Sequence, residues 1–121
     1  MSDEDARGLD DYRLADRYVR QSGRVFLTGT EALVRIALAQ AAMDRRDGRD
    51  TAGYVTGYRG SPLGGFDQAL WAAGDALAAA RVDFMPAINE ELAATAVLGT
   101  QQVEGDPERR VDGVFAIWYG K

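Results

Sequence analysis

The sequence predicts an α/β fold built on a doubly wound parallel sheet. Short apolar runs bounded by turn residues alternate with longer helical runs, in the order strand, helix, strand, helix, strand, helix, strand. A loop with four glycines and a proline, Gly57 to Gly65, joins one β-like run to the helical run after it. A second chemistry-bearing stretch, Ala87-Ile88-Asn89-Glu90-Glu91-Leu92-Ala93, follows another strand candidate. In a parallel sheet both stretches then lie at the carboxyl edge, where such folds bind ligands.

Residues 1–23 read as a polar extension with one short helix, and residues 24–121 as an α/β domain. Met1 to Asp11 is acidic and expected to fray. Tyr12 to Gln21 predicts a short helix with Leu14, Tyr18 and Val19 on one side, broken by Ser22-Gly23. Arg24 to Thr28 carries Val25, Phe26 and Leu27 and predicts a first strand or extended arm. Thr28 or Thr30 caps the next helix, with Glu31 in its first turn where a carboxylate suits the dipole. Apolar residues on more than one face, from Leu33 to Met43, predict that this helix is well buried. It stops at Asp44-Arg45-Arg46-Asp47-Gly48.

Thr51 to Thr56 predicts a strand, and Phe66 to Ala80 one helix with Ala69, Leu70, Ala73 and Leu77 along a face. Arg81 to Met85 predicts a strand that Pro86 closes. A helix is expected from Asn89 to about Gly105, its small residues suited to close packing. Val111 to Tyr119 predicts the last strand, with Val114 to Tyr119 buried. The sequence given stops one step later, at Gly120-Lys121, so the domain is expected to be incomplete.

Composition narrows the chemistry. The 121 residues, 46% hydrophobic, suffice for a core, and the net charge of −5 argues against a nucleic-acid surface. Arg109-Arg110 is flanked by Asp106, Glu108 and Asp112 and reads as a solvated loop. With no cysteine and no histidine, the chain excludes disulfides, thiolate metal sites, thiol nucleophiles and histidine triads. No run is long and apolar enough for a membrane span, and no signal-peptide core opens the chain. The expected setting is cytoplasmic.

The glycine loop has neither the spacing of Gly-x-Gly-x-x-Gly nor a following Gly-Lys-Ser/Thr. On the residues alone it is a tight strand-to-helix connection or a ligand loop whose N–H groups approach an anion, with Arg59 and Ser61 as the side chains that touch it. Glu90 and Glu91 are either ordinary dipole compensation at a helix start or one buried-side carboxylate between Ile88 and Leu92. Neighbours on a helix diverge, so at most one of the two faces a cleft. Tyr58, Phe66, Trp71, Trp118 and Tyr119 read as core or interface aromatics, and Trp71 as helix packing.

These segments also resemble a known family. Phe26-Leu27-Thr28-Gly29-Thr30-Glu31-Ala32-Leu33-Val34-Arg35 is similar to the start of the first domain of indolepyruvate:ferredoxin oxidoreductases, of the 2-oxoacid:ferredoxin oxidoreductase superfamily. Thr56-Gly57-Tyr58-Arg59-Gly60-Ser61-Pro62 resembles that family's Thr-Gly-Tyr-Pro-Gly-Thr-Pro loop, and Asn89-Glu90 its Asn-Glu segment. The three occur in family order and span about residues 12–121. The resemblance implies the pyrimidine-binding domain of a thiamine diphosphate fold, with Glu90 hydrogen-bonding the aminopyrimidine ring at N1′. That role is best served by a partly desolvated carboxylate. Gly60, Pro62 and Asn89 would line the cofactor, and Ser61 would stand for the family's threonine hydroxyl near the substrate. Arg59 replaces a proline and adds a cation beside the substrate.

The whole enzyme implied by the resemblance decarboxylates an arylpyruvate-type 2-oxoacid oxidatively to an acyl-CoA and passes electrons through iron–sulfur clusters to ferredoxin, as a homodimer. The diphosphate and Mg2+ would be held by a separate domain with a Gly-Asp-Gly…Asn signature, which this sequence lacks, as it lacks cluster-binding cysteines. This stretch alone is therefore expected to be inactive and to bind no metal. A standalone small-anion-binding module and a structural subunit-contact domain are the alternatives.

Overall fold

The structure is a computed structural model and describes residues 11–61 and 63–120. The expected fraying of the first residues and any role of Pro62 lie outside the described residues.

Three parallel strands form the sheet: β1 (Thr51–Gly57), β2 (Val82–Phe84) and β3 (Gly113–Tyr119), in the order β2-β1-β3. β1 is central, pairing Gly53 to Val55 with Val82 to Phe84, and Thr51 to Gly57 with Gly113 to Tyr119. The helices are α1 (Asp16–Val19), α2 (Gly29–Arg46), α3 (Gly64–Ala72), α4 (Gly74–Ala79) and α5 (Glu90–Thr100). After β1 the chain crosses through α3 and α4 to β2; after β2 it crosses through α5 to the opposite side of β1. This reversal of direction is the switch point of an open α/β sheet.

Side-chain alternation assigns the two faces. Val55, Phe115, Ile117 and Tyr119 join Val82 and Phe84 in one core with residues of α2, α3 and α4, including Val34, Leu38, Phe66, Leu70 and Leu77. Each such side chain contributes roughly 1.5–3 kcal/mol on full burial. The alternate residues face α5: Gln101, just past it, donates to the Val114 carbonyl at 3.0 Å, and Trp118 Nε1 donates to the Glu90 carbonyl at 3.1 Å.

Local chemistry sets the boundaries. Thr28, not Thr30, caps α2: its hydroxyl accepts from the Glu31 N–H while Glu31 accepts from the Thr28 N–H, a reciprocal capping box. Gly48, with φ of +75°, ends that helix in a conformation that suits glycine. Asp44 is buried but satisfied by Gln40 (2.9 Å) and Thr51 (2.6 Å), which ties the end of α2 to the start of β1.

Several expectations need correction. Of the strand and the arm expected at Arg24 to Thr28 the structure has the arm, so the sheet starts one element later: Phe26 is exposed, and its N–H donates to the Tyr12 hydroxyl at 3.1 Å rather than to a strand. Both sides of β1 are already taken by β2 and β3. The first helix shrinks to Asp16–Val19, burying Tyr18 and leaving Leu14 and Val19 exposed. The Phe66–Ala80 helix is two, interrupted at Ala73, whose side chain is held in the core next to Gly74. α5 ends at Thr100, and Val103–Gly105 is a separate single turn of 3-10 helix. α2 covers the sheet with one face only, since Ile36 and Met43 are exposed. β3 is an edge strand, half-buried along Val114 to Ile117, with Trp118 exposed.

Candidate functional site

The carboxyl ends of β1 and β3 meet where Gly57 pairs with Tyr119. Glycine is required there: a Cβ at Gly57 would strike the Tyr119 carbonyl oxygen and ring. One residue on, Tyr58 forms a parallel bridge with Ala87, and the Ala87 N–H donates to the Gly57 carbonyl at 3.0 Å. The glycine loop and the segment leading into α5 are thus stitched together by backbone, without help from side chains.

Within the loop, Ser61 N–H closes a turn onto the Tyr58 carbonyl at 3.0 Å. Ser61 is 7% exposed, and its Oγ accepts from the Leu63 N–H at 3.2 Å, which starts the turn into α3. The hydroxyl keeps its own proton to donate. Gly60 lies under the Tyr58 ring, which a Cβ there would meet at 2.6 Å.

Arg59 and Glu90 leave this edge on opposite sides. Arg59 bends over α3: its guanidinium lies 5.2 Å above the Trp71 ring, and Nε is 3.9 Å from Asp67 Oδ2. Trp71 is half exposed and packs edge-on against Phe84 as well as under this cation. Glu90 opens α5 on the other face, half-buried. Its Cγ lies so close to Gly120 that a Cβ there would meet it at 2.8 Å, and would meet the Trp118 ring at 2.7 Å. Ile88 is 81% exposed and Leu92 also faces outward, so the expected apolar walls do not form; Trp118 and Gly120 shelter Glu90 instead. Asn89 is the N-cap of α5, its Oδ1 accepting from the Leu92 N–H at 2.8 Å. Glu91 is exposed.

The sequence reading missed the polar pair beneath the loop. Asp67 and Tyr119 are both buried, and the Tyr119 hydroxyl donates to Asp67 Oδ1. Burial, then the hydrogen bond and charge of Asp67, hold the Tyr119 phenol well above its ordinary range, with Arg59 pulling weakly the other way. Tyr119 therefore stays a neutral donor, and Asp67 is the counter-charge that draws Arg59 back over α3. A carboxylate beside Phe66, one turn before Leu70 in an alanine-rich helix, was the available signal. Its partner, distant in sequence, was not legible.

Among the described residues no cluster of histidine, cysteine, aspartate or glutamate gathers that could hold a metal ion, and no helix is long and apolar enough to cross a membrane. No protein-family model, curated protein or solved structure matches the chain.

Proposed function

We propose that the carboxyl edge of the sheet is a small-ligand site, and that its specific form is the aminopyrimidine half of a thiamine diphosphate site in a 2-oxoacid:ferredoxin oxidoreductase. The Tyr58–Ala87 bridge carries this reading, because it joins the glycine loop and the Asn89-Glu90 segment at one edge. The partial burial of Glu90 against Gly120 and Trp118 supports the role of a carboxylate that accepts a hydrogen bond from a heteroaromatic ring N–H.

In that reading Glu90 holds or shares a proton at the pyrimidine, and the helix cap made by Asn89 fixes where α5 begins and so where Glu90 sits. Ser61 donates toward the substrate, with Gly60 letting the loop pass close. The cofactor, when bound, supplies the electron sink for loss of carbon dioxide. Diphosphate, Mg2+, iron–sulfur clusters, coenzyme A and ferredoxin are handled by parts outside this stretch, and the active enzyme is a cytoplasmic homodimer.

The test is an NMR titration of the chain with 4-amino-5-hydroxymethyl-2-methylpyrimidine, read at the Glu90 side-chain carboxyl. We expect a saturable shift there and at the backbone amides of the first turn of α5; in Glu90→Gln the amide shifts are lost, and in Glu91→Gln both remain. Absence of any shift at Glu90 sinks the assignment. In a whole enzyme containing this stretch, Glu90→Gln is expected to abolish turnover and Glu91→Gln to have little effect.

A further inference from the structure

The loop arginine is built as a recognition group. A guanidinium is always charged and offers a planar fork of donors. The Arg59 side chain is 68% exposed, and its guanidinium lies between two neighbours, the Trp71 ring beneath it and Asp67 near its Nε edge. Among the described residues Asp67 is its only polar partner, at 3.9 Å, beyond hydrogen-bond reach, so the two terminal nitrogens keep their donors for a ligand. Asp67 does not need Arg59 to stay in place: it is buried and accepts from Tyr119. A fixed negative charge therefore remains beside any anion that docks on the fork.

We propose that Arg59 is a carboxylate-binding fork, oriented by Trp71, and that Asp67 is the residue that makes it select singly charged carboxylates over phosphate dianions. This rests on the reading of the carboxyl edge as a ligand site. One guanidinium already facing one carboxylate leaves the subsite close to neutral. A planar monoanion can still form two parallel hydrogen bonds to the terminal nitrogens. A dianion brings a second charge that the guanidinium attracts and Asp67 repels; the repulsion offsets that extra attraction by roughly tenfold in affinity at the effective dielectric of a protein surface. The ligand class is a small organic acid, with Asp67 and Trp71 as positioning residues acting through Arg59.

The arginine side-chain Nε–H resonance reads this directly in the intact chain. Sodium acetate and inorganic phosphate, the latter held above its second pKa, are titrated at matched ionic strength. Acetate is expected to shift the Arg59 resonance saturably, and phosphate to bind no more tightly. Arg59→Gln, a change at an exposed position read at the Gly60 and Ser61 backbone amides, which the unmodified chain shifts with both probes, removes the saturable response to both. Asp67→Asn raises phosphate affinity about tenfold relative to acetate, a change of selectivity that a merely structural role would not produce. Trp71→Leu weakens both probes alike. The proposal is overturned by an Arg59 resonance indifferent to acetate, by phosphate binding tighter than acetate to the unmodified chain, or by an unchanged ratio in folded Asp67→Asn. Should that variant lose its native amide spectrum, the ratio in the unmodified chain and the loss in Arg59→Gln decide. The aminopyrimidine titration reads Glu90 and the acetate titration Arg59, so either can fail while the other stands.

Discussion

On one face of the sheet, α2, α3 and α4 press Val34, Leu38, Phe66, Leu70 and Leu77 against Val55, Val82 and Tyr119. On the other face α5, among the described residues, buries one side chain completely, Ala93, and turns Leu92 and Leu98 outward. From Leu92 to Val103 the sequence carries no charge, so the exposure of α5 is not that of an ordinary solvated face. The candidate site straddles this difference. Ser61, Arg59 and Asp67 stand on the densely packed side, and Glu90 on the sparsely packed one. Rigid placement of the loop is secured by a core, whereas placement of Glu90 depends on a cap, a bridge and the Trp118 contact.

The largest expected effect follows from that asymmetry. Phe66 is 2% exposed and meets Tyr119 edge-on at 5.1 Å between ring centres. Phe66→Ala should lower unfolding free energy by about 3–5 kcal/mol. Leu98→Ala, at a position 60% exposed, should change it by less than about 0.5 kcal/mol. Urea denaturation of the two variants measures both. Equal losses would mean that α5 is packed as tightly as α3, and the contrast between the faces would fail.

A smaller effect tests the polar pair on the packed side. Tyr119→Phe removes the donor to Asp67 and leaves a buried carboxylate short of a partner, a loss of about 1–3 kcal/mol. The pH dependence has a definite sign. The folded state holds the phenol above its ordinary value, so its contribution is fully present below the ordinary phenol range near pH ~10 and is lost as pH rises through the folded-state value. Tyr18 is shifted in the same direction by burial and then by the charge of Glu31. Stability should therefore fall in alkali, and Tyr119→Phe should flatten only part of that fall. An identical alkaline slope with and without Tyr119 would show that Asp67 does not hold the phenol.

How much of this was legible in the sequence depends on the range of the interaction. β1, the glycine loop and the start of α5 were readable because each is announced by local chemistry: the apolar run at Tyr54-Val55, the glycines after it, and Asn89 ahead of two glutamates and an uncharged helical run. The reciprocal cap of α2 was equally local, since Glu31 lies three residues after Thr28. Of the strand and the extended arm expected at Arg24 to Thr28 the structure has the arm: Val25-Phe26-Leu27 has strand composition but joins neither edge of the sheet, and pairing is not a local property. The helix after the loop was read as one because the alanine run masks the break at Ala73-Gly74. Arg59 belongs to the glycine loop by its position in the chain, but its orientation depends on Asp67 and Tyr119, whose pairing across 52 residues only the fold creates. The shelter of Glu90 was assigned to Ile88 and Leu92, its neighbours in sequence, rather than to Trp118 and Gly120.

The two N-caps give the finest comparison, because each face has one. Thr28 and Glu31 satisfy each other at the start of α2, a helix locked into the core. Glu31 is itself held below the ordinary carboxylate range: desolvation raises it, but the Thr28 hydrogen bonds and the Arg17 ion pair outweigh that. Asn89 caps α5 alone, through one bond to the Leu92 N–H. Each cap is worth about 1 kcal/mol in isolation, but the loss should be felt differently. Thr28→Ala should reduce global stability by nearly that amount, because α2 cannot fray without uncovering Val34. Asn89→Ala should leave global stability almost unchanged and speed amide exchange in the first turn of α5, where local opening exposes little apolar surface. Hydrogen exchange followed residue by residue separates the two. If the first turn of α5 kept its protection in Asn89→Ala, Glu90 would be held by the Trp118 bond and the Tyr58–Ala87 bridge alone, and the cap would drop out of the account of the site.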